Sequence, residues 1–163
     1  MEKISSYNLF NNLLPGAVFS FIVKDIGKIP LVNDNVFITF FMFYFIGVTV
    51  SRIGSLIIEP ILKFLKIINF KPYSEFVIAT DNDSKLETLS ETNNMYRSFV
   101  SLVFSIGVIE GYKLVLEKSE ISEIINGAII ILILMLIYIF SYRKQTNYIS
   151  KRIETRIGNK RSK

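Results

Sequence analysis

The sequence contains no cysteine and no histidine, and these two absences remove much of the familiar chemistry of active sites. Without cysteine there are no disulfides, no thiolate zinc sites and no Cys-His pairs. Without histidine there are no imidazole metal ligands and no Ser-His-Asp triads. Carboxylates are absent from the long apolar runs with one exception, Glu110. Aspartyl chemistry requires two facing carboxylates, so an intramembrane protease of that type is disfavoured as well. The expectation is a non-enzymatic protein with no catalytic residues, no metal and no cofactor.

Charge is the next thing in short supply. Half of the 163 residues are hydrophobic and the mean hydropathy is +0.41, which soluble domains seldom reach. From Val36 to Val50 fifteen residues pass without a charge, within an apolar stretch that continues to Ile58. A hydrocarbon core of roughly 30 Å needs about 20 such residues in a helix. The fold class expected is therefore all-α, a polytopic membrane protein in one membrane domain. Four transmembrane helices are placed at residues 7–26, 36–58, 98–116 and 124–142, with helical cytoplasmic extensions.

The first of these is the shortest in apolar length. Leu13 to Val23 is interrupted by Pro15-Gly16 and preceded by Asn8, Asn11 and Asn12, a pattern that suits a full crossing over 7–26 or a re-entrant piece. It follows a single lysine and offers no convincing small-residue cleavage site, so no cleavable signal peptide is expected. A connection with turn formers at Gly27, Pro30 and Asn33-Asp34 leads to the second span.

The cytoplasmic segment over 59–97 opens with Leu62, Phe64, Leu65, Ile67 and Ile68 alternating with Lys63 and Lys66. This pattern predicts a short interfacial helix ended by Lys71-Pro72. Phe76 to Ala79 suits a short extended or helical piece, and Asp81-Asn82-Asp83 a turn. Ser84-Lys85-Leu86-Glu87 has capping-box spacing. No proline occurs from Lys85 to Leu116, so a single helix is expected to run from the cytoplasm through the third span. An acidic turn, Glu117 to Glu123, precedes the most apolar span. The basic cytoplasmic tail over 143–163 carries eight Lys or Arg and one acid, Glu154, and Tyr142, Thr146, Ile149, Ile153 and Ile157 mark an apolar face along it. The weight of positive charge in that tail and in 59–97 places both termini in the cytoplasm.

Within the spans a few residues are candidates for function. Arg52 is costly at membrane depth unless it snorkels or meets an anion, and Glu59 lies two helical turns along on nearly the same face. Gly47, Ser51 and Ser55 recur every four residues, a seam for helix packing. Glu110 sits between Gly107 and Gly111, a GxxxG pair suited to close helix approach. Its carboxyl needs a donor such as Tyr112, Lys113 or Asn126, or faces water as a pore or ion-sensing group. Ser101 and Ser105, with Ser98, Arg97 and Asn94, form a polar stripe on the third helix, a candidate pore or gate lining with helix packing as the ordinary alternative.

Taken in order, Leu14-Pro15-Gly16, Ser51-Arg52-Ile53-Gly54-Ser55 with Glu59-Pro60, and Asn93-Asn94-Met95-Tyr96-Arg97 resemble the small multi-pass membrane effectors of bacterial anti-phage defence operons, of Hailong or Kiwa type. The resemblance implies a homo-oligomer in the bacterial inner (plasma) membrane, silent until infection. It implies an ion channel or membrane-perturbing effector in antiviral defence, gated by a cytoplasmic protein or a nucleotide or oligonucleotide. The alternative is a non-conducting sensor or scaffold that recruits a soluble partner. The partners expected are the lipid bilayer and further copies of the chain, and direct nucleic-acid binding is not expected.

Overall fold

The computed structural model describes residues 4–27, 31, 33–118 and 121–161. The expected connection through Lys28 to Pro30, the centre of the acidic turn at Ser119 and Glu120, and the last two residues of the tail lie outside the described residues.

The architecture is all-helical. Helix α1 spans Ile4–Gly27, α2 Val36–Ile53, a single π-helical turn Gly54–Ile58, α3 Glu59–Phe64, α4 Tyr73–Asn82, α5 Lys85–Leu116 and α6 Glu123–Arg161. Among the described residues three helices are long and apolar enough to cross a membrane: Val36–Phe64, Lys85–Leu116 and Glu123–Gly158. Helix α1 is not among them, although it runs unbroken through Pro15 for 24 residues.

Several local devices set the helix ends. Asn35 caps α2, its side-chain oxygen accepting from the amides of Phe37 (2.9 Å) and Ile38 (3.3 Å), which satisfies two of the donors a helix start leaves free. The interfacial helix is shorter than its hydrophobic pattern suggests, ending at Phe64 rather than at Lys71-Pro72. Lys66 turns left-handed (φ 58°), while its amide donates to Lys63 O and that of Ile67 to Leu62 O, both at 3.0 Å. That hydrogen-bond pair is a Schellman stop. The segment containing Phe76 to Ala79 is helical, and Asp81 and Asn82 belong to α4 rather than to a turn. Ser84 makes no capping bond. Asp83 takes that place, its Oδ1 accepting from the Lys85 amide at 2.9 Å.

Helix α2 is the hub, packing against α1, α5 and α6. The α1–α2 contact is backbone against backbone: a Cβ on Gly47 would lie 1.7 Å from Asn12 O, and one on Gly16 1.7 Å from Phe43 O. As the chain rises from 12 to 16 its partners fall from 47 to 43, so the two helices are antiparallel. Phe19, Val23, Val50 and Leu102 form the apolar core.

Serines share the interior with that apolar core, and many large apolar side chains lie outside. The interior holds Ser20, Ser55, Ser98, Ser101, Ser105 and Ser141 as well as Glu59, while Phe37, Phe41, Ile124 and Ile131 are each at least two-thirds exposed. The distribution is compatible with insertion in lipid, where helix association brings no hydrophobic gain and small residues and hydroxyls at helix contacts take over. Ser101 Oγ donates to Val50 O at 2.7 Å, and Thr49 Oγ1 lies 3.0 Å from Tyr138 Oη.

Candidate functional site

The site begins with a conflict in the α2 backbone. Pro60 has no N–H, and its ring presses on the carbonyl four residues back, so an α-helix cannot pass through it undistorted. The chain answers with the π turn, in which the Glu59 amide donates to Gly54 O, five residues back. Turns of this kind recur at functional positions. The Ser55 carbonyl is thereby deprived of both backbone donors: the Glu59 amide is engaged elsewhere, and Pro60 has none to offer.

Lys144, on α6, supplies the missing donor, with Nζ 2.6 Å from Ser55 O and 2.8 Å from Ser55 Oγ. The same ammonium lies 3.7 Å from Glu59 Oε1. Glu59, with a side chain only 9% exposed, also takes Lys63 Nζ at 2.7 Å and Arg97 Nη1 at 2.8 Å. One buried carboxylate therefore gathers three cations from α3, α5 and α6. Gly54 makes the approach of α5 feasible, since a Cβ there would meet Ser101 Cβ at 3.2 Å and Arg97 Cγ at 3.3 Å.

The local balance is one negative charge against three positive. Burial of a carboxylate is tolerated only when it is paired and hydrogen-bonded, and Glu59 has a cation on each oxygen. The surplus positive charge favours an anion at this end of the bundle. Arg97 Nε is buried without a hydrogen-bond partner among the described residues, so the guanidinium is incompletely satisfied by Glu59.

The cluster continues into the segments beyond the apolar runs. Tyr148 of α6 packs on Tyr73 of α4 with ring centroids 4.9 Å apart. Further along, Arg156 forms a two-pronged ion pair with Asp81. Helix α4 thus braces the tail, and the apolar stripe predicted on it stays open, with Tyr142 77% and Ile153 53% exposed.

The predicted residues fall into three groups. Glu59, Arg97 and Ser55 meet in the cluster. Arg52 does not: it is exposed, and no ion pair joins it to Glu59. The π turn changes the angular offset between positions 52 and 59, and Glu59 is occupied by cations from other elements. The small-residue seam likewise does not serve one neighbour, because Gly47 faces α1 while Ser55 faces α6, and Ser51 is half-buried between them.

On α5, Ser98, Ser101 and Ser105 are buried against neighbouring helices. Ser98 Oγ donates to Asn94 O at 3.0 Å. The serine stripe therefore packs helices within one chain and lines no open path there. Glu110 is paired with Lys113 at 3.2 Å and is partly exposed, while Tyr112 donates to Asn126 instead of to Glu110. Among the described residues Gly107 and Gly111 face open space, since a Cβ at either would meet nothing within 4 Å.

Sequence reasoning missed Lys144 and Gly54. Lys144 is one cation in a strongly basic stretch, and nothing local distinguishes it. For Gly54 a signal existed: a glycine in the turn before Glu59-Pro60 marks a close approach beside a helix-breaking residue. Among the described residues no group of three or more acidic side chains converges as a cation site. No protein-family model, curated protein or solved structure matches the chain.

Proposed function

We propose that the chain is a homo-oligomeric effector of the bacterial inner membrane, of channel or membrane-perturbing type, in which the Glu59 cluster is the catch that holds the resting state. Four crossings, with α1 as the first, place both termini and α4 in the cytoplasm. The observation that carries this reading is the convergence on Glu59 of cations from α3, α5 and α6.

An acidic protein segment or a nucleotide binding at the cytoplasmic end competes with Glu59 for Arg97 and Lys144. Loss of those bonds frees α5 and α6 from the end of α2. Because α5 and α6 continue without a break into the apolar segments, release at one end alters packing along the whole helix. The open Gly107–Gly111 face supports association of copies through α5, with Glu110 beside that seam. The resemblance to anti-phage effectors supplies the biological setting, in which infection provides the activating ligand.

The deciding experiment is membrane potential in cells expressing wild type, Glu59→Gln or Glu110→Leu at matched membrane abundance, with and without phage. Depolarisation by wild type on infection, made constitutive by Glu59→Gln and lost in Glu110→Leu, is the expected pattern. An unchanged potential in all three would sink the conducting reading. A second reading, a non-conducting sensor or scaffold, is favoured by the burial of Ser98, Ser101 and Ser105 in helix packing. It predicts phage protection without depolarisation and retention of a soluble partner on the purified protein.

A further inference from the structure

A groove of about 560 Å³ opens between α2 with its π turn and α6. On the α6 side Ile133, Leu136 and Phe140 line it, and Ile53 and Leu56 face them from α2 and the π turn. Its character changes along its length. After Phe140 the lining becomes Arg143, Lys144 and Asn147, so one end is hydrocarbon and the other cationic and hydrogen-bonding.

The dimensions match one leaflet. From Ile133 to Arg143 the helix rises ~15 Å, half of a hydrocarbon core of roughly 30 Å. The polar end lies at the level of Glu59, because Lys144 touches both. Arg143 is exposed and has no carboxylate partner among the described residues. Lys144 is engaged by Ser55 and Glu59, but the three cations around one carboxylate leave positive charge uncompensated beside the groove.

We propose that this groove is a binding site for an anionic phospholipid of the leaflet that faces the cluster. The phosphate is held by the Arg143 guanidinium and the Asn147 amide, with the surplus charge around Lys144 adding long-range attraction. An acyl chain lies along Ile133, Leu136 and Phe140 against Leu56. Basic pockets between membrane helices are general recognition sites for anionic headgroups, and a guanidinium binds phosphate oxygens in matched pairs. The site rests on the chain being embedded in a bilayer, and it holds whether or not the protein conducts.

The test is native mass spectrometry of the full chain in mild detergent, titrated with phosphatidylglycerol or with phosphatidylcholine of the same acyl chains. A third titration uses inorganic phosphate alone. Wild type should retain phosphatidylglycerol at least about tenfold better than phosphatidylcholine, and phosphate should not displace it. Arg143→Gln with Asn147→Ala should lose that preference by about tenfold, the scale of one charge-assisted contact. Leu136→Trp, which fills the apolar part and leaves the headgroup residues intact, should weaken both lipids. Lys71→Ala removes an exposed cation elsewhere and should change nothing. Equal retention of the two lipids overturns the proposal, as does displacement of phosphatidylglycerol by phosphate or indifference to both groove variants. Retained helicity and melting temperature in each variant separate loss of the site from loss of the fold. A protein that binds the lipid but never depolarises cells would refute the effector reading and leave this site standing.

Discussion

The ammonium of Lys144 and the backbone of Ser55, 89 residues apart in the chain, meet at 2.6 Å where a π turn and a proline together leave a carbonyl without a backbone donor. Tertiary structure thus completes a hydrogen bond that the helix cannot make for itself. The same ammonium faces Glu59, so backbone distortion and charge cluster are one arrangement.

Removing the carboxylate exposes how much rests on it. Glu59→Gln leaves Lys63, Arg97 and Lys144 facing one another with no counter-charge, and breaking a buried pair by deleting one partner costs about 3 kcal/mol or more. The double variant Glu59→Gln with Lys63→Met, which removes one of the repelling cations and leaves Lys144 on the Ser55 carbonyl, should recover part of that loss. Unfolding in mixed micelles followed by circular dichroism provides the check, and a single variant as stable as wild type would contradict the cluster's structural role.

The glycines divide into two classes with opposite expected behaviour. Gly47→Val and Gly16→Val drive a side chain into opposing backbone and should abolish the folded state, seen as loss of monodisperse protein after extraction. Gly107→Ala meets open space and should leave the fold intact, with stability unchanged or raised by up to about 1 kcal/mol by the better helix propensity of alanine. If Gly107→Ala is neutral for folding yet shifts the oligomer distribution, the open face is a contact between copies.

On the tail, Arg156→Glu should release the last turns of α6 from α4, read as faster amide exchange over residues 150–158. Asp81→Arg combined with Arg156→Glu restores opposite charges at the same distance and should restore protection. The pair is largely exposed, so its effect on global stability is expected to stay below about 1 kcal/mol.

Lys66 adopts a left-handed conformation that costs a side chain roughly 1 kcal/mol and a glycine almost nothing. Lys66→Gly is therefore expected to raise stability by up to about 1 kcal/mol, or to leave it unchanged if greater freedom of the unfolded chain offsets the gain. A fall of more than that would mean that the lysine side chain makes a stabilising contact.

The apolar helices were legible because a bilayer sets a length and a composition together: Val36 to Ile58 and Ile124 to Tyr142 satisfy both. The unbroken course of α5 followed from the absence of proline between Lys85 and Leu116. Burial of Glu59 did not follow, since its partners Arg97 and Lys144 come from helices far along the chain and spacing encodes no such contact. Arg52 was assigned to Glu59 by counting α-helical turns, and the π turn invalidates that count. Ser84 does not cap because the Glu87 amide that its hydroxyl was expected to take donates to the Ser84 carbonyl instead, while Asp83 Oδ1 takes the Lys85 amide. Ser98, Ser101 and Ser105 are all buried on α5, but whether a polar face lines water or packs a helix depends on what lies opposite, here Val50 for Ser101.

Helix α6 is a single rod of 39 residues, about 58 Å long at the usual rise. Its half beyond Tyr142 extends about 28 Å past the end of the apolar segment. With Lys144 acting as a fulcrum, each 10° of tilt of the apolar half would sweep the far end through roughly 4 Å. A change in helix packing too small to alter the outline of the bundle would thus arrive at the tail as a displacement the size of an amino-acid side chain.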